Sequence, residues 1–158
     1  MITTSPPQLR ILLVEDDIDD CMFFKDALNE TGINTTLQIT TRCTDIINLL
    51  GTAPEKLPHL IFLDLNMPLV SGHECLQAIR KLSYLDTIPV VIYSTSAIRQ
   101  EVESTFMGGA NLYLQKPSSF PLLVIALKKI LQLDRKNLFT ERNRNNFVFK
   151  HVESQKAA

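Results

Sequence analysis

Short apolar runs alternate along the chain with longer stretches in which apolar residues recur at helical spacing. LRILLV (9 to 14), TLQIT (36 to 40), LIFLDL (60 to 65), IPVVIYS (88 to 94) and LYLQ (112 to 115) read as strands. Several are apolar on both faces, as in a parallel sheet covered on both sides. Between them, Phe23, Phe24, Ala27 and Leu28 share one helical face that Gly32 closes, and Ile46, Ile47, Leu49 and Leu50 stop at Gly51. Cys75, Leu76 and Ile79 mark a third helix; Ile98, Val102 and Phe106 mark a fourth, ended by Gly108 and Gly109. Ser118 or Ser119 caps a fifth, with Pro121 in its first turn and LLVIALKKIL as its body. The pattern is (βα)5 with short connections. It predicts a three-layer, doubly wound α/β domain with a parallel sheet and right-handed crossovers.

Composition narrows the class. With 158 residues, 45% apolar and a net charge of -1, the chain has the size of one soluble domain. No stretch approaches the roughly 20 apolar residues of a membrane helix. The N-terminal MITTSPPQLR lacks an apolar core and a cleavage motif, so residues 1 to 7 read as a disordered lead and a cytoplasmic location is expected. Cys21, Cys43 and Cys75 are odd in number and form no C-x-x-C pair, which points to three reduced, mostly buried thiols. His59, His73 and His151 show no ligand spacing. Residues 1 to 133 hold ten basic and fourteen acidic residues, and residues 134 to 158 six and three. Neither part is basic enough to argue for DNA binding, and nothing points to a membrane.

In a parallel sheet the carboxyl ends of all strands share one edge, where ligands bind. Collected on that edge are Glu15 and Asp16 from the first strand, Asp64 from the third, Ser94 from the fourth and Lys116 from the fifth. Three carboxylates in one crevice repel each other unless one is protonated or a cation binds. All the donors are oxygens, which favours a hard ion such as Mg2+. Asp17, Asp19 and Asp20 have a plainer role, favouring the positive end of the first helix's dipole. Asp64 in FLDLNMP is a competent nucleophile toward phosphorus beside a divalent cation. Lys116 offers fixed positive charge to phosphoryl oxygens and Ser94 a hydroxyl donor.

VEDD, FLDLNMP, the strand-end Ser94 in IPVVIYSTS and LYLQKP, in this order over residues 8 to 133, resemble the receiver domains of two-component response regulators. The resemblance implies a flavodoxin-like strand order 2-1-3-4-5, with Asp64 as phosphoacceptor for a sensor histidine kinase or histidine phosphotransfer protein. It implies Mg2+ held by Asp16, Asp64 and the backbone carbonyl of Asn66, with Glu15 acting through water. Ser94 and Lys116 would contact the phosphoryl group, Tyr113 would be the switch aromatic that turns inward, and the Lys116–Pro117 bond would be cis. Ser94 stands where Thr is commoner, Tyr93 is bulkier than the usual aliphatic residue, and Asn66 and Ser96 occupy positions that influence phosphoryl lifetime in the family. Chemistry beyond slow self-dephosphorylation is not implied, so the protein is not expected to be an enzyme.

Two other readings compete. An aspartyl-phosphate phosphohydrolase of the haloacid-dehalogenase type needs a second Asp two residues after the nucleophile, where this chain has Asn66. A phosphorylation-independent receiver-like module would keep the fold without the switch. Residues 134 to 158 read as a tail without a separate output domain, its FVFKHV patch either packing back, docking on a partner or lying in a disordered segment. Output is expected as contact with a downstream protein through the fourth helix, fifth strand and fifth helix, where LLVIAL is apolar through more than one turn. The resemblance implies a homodimer through the same face.

Overall fold

The computed structural model describes residues 7–50, 56–68 and 70–151. The expected helix stop at Gly51, most of the lead and the last seven residues of the tail lie outside them. In chain order the elements are β1 (Leu9–Val14), α1 (Ile18–Glu30), β2 (Thr35–Thr40), α2 (Cys43–Leu50), β3 (Leu60–Leu63) and α3 (Gly72–Lys81). They continue with β4 (Val90–Ser94), α4 (Arg99–Met107), β5 (Leu112–Gln115), α5 (Phe120–Leu131), α6 (Asn137–Thr140) and α7 (Arg144–Phe147). The five strands form one sheet in the order β2-β1-β3-β4-β5, every pair parallel. This is the doubly wound arrangement expected from the alternation of elements. No helix among the described residues is long and apolar enough to cross a membrane.

Strand alternation divides the core in two. Ile11, Leu13, Phe62, Val91 and Tyr93 point to the face covered by α1 and α5, through Phe24, Ala27, Leu123 and Leu127. Leu12, Val14, Ile61, Leu63 and Ile92 point to the other face, covered by Ile46 of α2 and Leu76 and Ile79 of α3. β1, β3 and β4 are therefore apolar at nearly every position, while the edge strand β2 is buried only at Thr40. Asp17 caps α1 by accepting from the Asp20 amide at 2.9 Å, and Gly32 follows that helix at φ 72°, a conformation glycine adopts without a Cβ penalty. Ser119, of the two serines considered, caps α5.

Three expectations are corrected. Cys43 and Cys75 are joined as a disulfide with Cα atoms 5.5 Å apart, leaving Cys21 as the buried free thiol. Their separation of 32 residues carries no local signal, because the pairing arises only when α2 and α3 lie side by side on the sheet. The Lys116–Pro117 bond is trans; the intrinsic preference between isomers before proline is only about 0.5–1 kcal/mol, so the local fold decides it. Ile98 does not join a buried stripe on α4: it is the residue before the helix and 57% exposed, and within α4 only Thr105 is buried.

The tail packs back on the domain. Phe147 is 1% exposed and meets Phe106 and Tyr113 edge-on, with ring centres 5.2 and 6.1 Å away. The Phe149 amide donates to the Tyr113 carbonyl at 2.8 Å, beside an isolated parallel bridge between Tyr113 and Val148. Arg142 donates to the carbonyl of Phe106 at 2.7 Å and lies over its ring, and Arg144 pairs with Glu103 at 2.7 Å. Phe147→Ala is expected to cost about 3 kcal/mol, as for other large-to-small changes in a core. Equilibrium urea unfolding of the two proteins measures it; equal stabilities would show that the tail is not part of the folded unit.

Candidate functional site

The sheet register builds the site. Val14 is paired with Leu63, and the Asp64 amide donates to the Val14 carbonyl at 3.0 Å, so the residues that follow β1 and β3 leave the sheet side by side. One carboxylate oxygen from each of Glu15, Asp16 and Asp64 lies within 4.8 Å of the others. Glu15 and Asp64 are buried and Asp16 half-buried. From the far side, the Lys116 ammonium reaches Glu15 at 2.8 Å, Asp20 at 2.9 Å and Asp64 at 3.7 Å. The crevice they share has a volume of about 700 Å3 and is also lined by Asn66 and Thr95.

The electrostatics follow from this crowding. Burial, with the charge of Asp64 added, pushes the Glu15 carboxyl up to about 7, against the opposing pull of the Lys116 hydrogen bond. Burial alone would favour a neutral Lys116, but its hydrogen bonds to Glu15 and Asp20 hold it above the ordinary lysine range, fully charged. Tyr93, the unusually bulky residue of β4, packs edge-on against Phe24 and Phe62 and carries the Lys116 ammonium 5.1 Å from its ring centre. Its aromatic face is thus a floor for the cation.

Five of the residues expected at the site meet here: Glu15, Asp16, Asp64, Asn66 and Lys116 all line the crevice. Two do not. Ser94 is fully buried, its hydroxyl accepting from the Ser96 amide at 3.3 Å, and it is the neighbouring Thr95 that faces the crevice. Tyr113, expected to turn inward on switching, already lies inward, with its hydroxyl donating to the Ser96 carbonyl at 2.6 Å.

Asp20 is the residue that sequence reasoning missed. Assigned there to the helix dipole, it is an ion-pair partner of Lys116 as well. Asp17 caps α1, which makes Asp20 the third helical residue, and side chains in a helix lean toward its N-terminus, here toward the crevice. Asp19 is exposed, as a dipole role requires.

The donor set tests which ion would fit. The three carboxylates are hard oxygen ligands, and no histidine or cysteine joins the cluster among the described residues. That chemistry suits Mg2+ or another hard divalent cation rather than zinc.

Fold and crevice together define a doubly wound α/β domain with a carboxylate and lysine site at the carboxyl edge of its sheet. Residues 11–128 match the response regulator receiver domain family, and the chain belongs to it. It is 34% identical over 123 residues to the probable methanogenesis regulatory protein FilR2 of Methanothrix harundinacea (strain 6Ac), covering 76% of this chain and 79% of that protein. It is 31% identical over 121 residues to the polar-differentiation response regulator DivK of Brucella anthropi, covering 77% and 94%. Among solved structures, the Mn(2+)-bound form of response regulator Rcp1 is 31% identical with a TM-score of 0.67, over 77% of this chain and 91% of that one. The phosphorylated cyanobacterial phytochrome response regulator RcpA is 26% identical with a TM-score of 0.70, over 87% and 97%.

Asp16→Asn is expected to weaken Mg2+ binding by about tenfold or more, or roughly 1.4 kcal/mol, while Asp19→Asn leaves it nearly unchanged. Calorimetric titration of both variants checks the assignment, and equal affinities would refute it.

Proposed function

We propose that this receiver accepts a phosphoryl group onto Asp64 from the phosphohistidine of a sensor histidine kinase or histidine phosphotransfer protein, and signals through protein contact. The observation that carries the reading is the Lys116 ammonium, 3.7 Å from Asp64 and held by Glu15 and Asp20. Asp16, Asp64 and the Asn66 carbonyl, with Glu15 through water, would hold Mg2+, which when bound supplies positive charge to the phosphoryl oxygens.

A carboxylate oxygen of Asp64 attacks phosphorus as the bond to the histidine nitrogen breaks, and the electron pair leaves with the imidazole. Lys116 then exchanges part of its carboxylate contact for a phosphoryl oxygen. Ser94, fully buried here, reaches that oxygen only if the start of the 94–98 loop shifts toward the crevice. Because the Tyr113 hydroxyl is bonded to the Ser96 carbonyl, such a shift draws on Tyr113. The metal-bound and phosphorylated forms named for the similar proteins Rcp1 and RcpA support this chemistry.

Output runs through α4, β5 and α5 to a downstream protein or a second copy of the chain. Leu122 and Ile125 on α5 are 38% and 44% exposed, so part of LLVIAL faces outward as its long apolar run requires. The tail covers the adjoining part of this face at Phe106 and Tyr113, and a partner meets α5 and the tail together.

With Mg2+ and a small phosphodonor, wild type is expected to become labelled and Asp64→Asn to remain unlabelled on a phosphate-affinity gel; equal labelling would refute the phosphoacceptor. Hydrogen exchange with a beryllofluoride mimic is expected to change at residues 94–113, along α5 and at 141–150. Changes confined to α1 would reject this output route.

A further inference from the structure

The Cys43–Cys75 pair lies on the opposite flank of the phosphoacceptor loop from Lys116 and has no part in the chemistry above. Cys43 opens α2 and Cys75 sits in the first turn of α3, where its amide donates to the Ser71 carbonyl at 3.0 Å. Ser71 in turn caps α3 and ends the loop that starts at Asp64, and the Gly72 amide ties that loop together by donating to the Leu65 carbonyl at 3.1 Å. A small cavity of about 150 Å3 lies between Cys43 and the same loop, lined by Arg42, Cys43, Met67, Pro68 and Val70.

The two sulfurs are unequal. Cys75 is fully buried, whereas Cys43 is 7% exposed, faces the cavity and follows the exposed Arg42. A helix N-terminus and a neighbouring arginine both favour the thiolate, the form that reacts. Cys43 is therefore the sulfur that an incoming reagent reaches, and Cys75 the one that resolves.

We propose that Cys43 and Cys75 form a reversible dithiol–disulfide site that takes a low-molecular-weight disulfide as its oxidant and, when oxidised, braces the loop bearing Asp64 and Asn66. The Cys43 thiolate attacks a sulfur of the small disulfide, forming a mixed disulfide and expelling one small thiolate. Cys75 loses its proton to solvent and attacks the Cys43 sulfur, and the second small thiolate leaves. Two protein thiols are oxidised by two electrons while one disulfide is reduced to two thiols. The bond then ties the start of α2 to the first turn of α3, whose cap Ser71 ends the loop that starts at Asp64, so the loop's end at Val70 and Ser71 loses freedom relative to the dithiol form. Only the effect on phosphorylation rests on the reading of Asp64 as phosphoacceptor.

The full chain is equilibrated with oxidised or with reduced glutathione, quenched with acid, alkylated and mapped by mass spectrometry. Oxidised glutathione is expected to yield the Cys43 and Cys75 peptides cross-linked and Cys21 single; reduced glutathione, both cysteines alkylated. On the same samples, hydrogen exchange of residues 65–75 is expected to be about threefold or more slower in the oxidised form. Cys43→Ser is expected to show the faster exchange in both buffers, and Asp64 of the reduced wild type to be labelled more slowly by a small phosphodonor. Full alkylation of both cysteines after oxidised glutathione, or a cross-link that leaves exchange at 65–75 unchanged, would overturn the proposal. An exchange difference without labelling of Asp64 in either form would support the redox site and count against the phosphoacceptor.

Discussion

One cation among four acids sets the terms for this domain. Lys116 is 9% exposed along its side chain and Glu15 1%, so their contact at 2.8 Å is nearly dry, with Asp64 close by and Asp16 adding a further carboxylate. Such a group is a poor source of stability, because desolvating the ions costs several kcal/mol each and apolar residues of similar volume serve a core as well or better. Leaving Lys116 out would be worse, since the buried carboxylates would then repel each other unscreened. The raised Glu15 value is the residue of that conflict. A fold that keeps this arrangement retains a charged crevice in which Lys116 balances the surrounding carboxylates.

The sheet order is what makes the contact possible. β1 and β3 are neighbours and deliver the carboxylates together, but β5 lies two strands from β3. With strands roughly 4.8 Å apart, Lys116 must cross the end of β4 to reach Asp64. Its ammonium passes above the Tyr93 ring, and small residues, Ser94 and Thr95, leave room at that strand end. The bulk of Tyr93 that looked out of place in the sequence is turned to the opposite face, among Phe24 and Phe62, with only its π-face offered to the cation.

What could be read from the sequence divides along the same physical line. Strands buried on both faces announce themselves as apolar runs, and parallel connection then forces their terminal polar residues onto one edge; Glu15, Asp16, Asp64 and Lys116 were found that way. Contacts made by residues outside that edge have no such rule. Asp20 joins Lys116 because a cap three residues earlier sets the phase of α1, and Cys43 meets Cys75 because two helices share a face of the sheet. α4 departs at one position: Ile98 precedes the helix and is exposed, while Val102 and Phe106 pack against the core as their spacing predicts.

The tail gives Tyr113 a second neighbour. Tyr113 is bonded to the Ser96 carbonyl through its hydroxyl, to the Phe149 amide through its own carbonyl, and touches the Phe147 ring. One residue thus links the loop beginning at Ser94 to the segment that covers α4. If Ser94 moves toward the crevice and the Ser96 carbonyl moves with it, the buried Tyr113 hydroxyl loses its acceptor, at a cost of about 1–3 kcal/mol. That is the size of a typical coupling free energy between distant sites. The hydroxyl regains a partner only by moving, and Tyr113 cannot move without disturbing Phe147. A displacement of the 94–98 loop would in this way reach the tail's contacts on α4 and β5 through a single buried hydrogen bond.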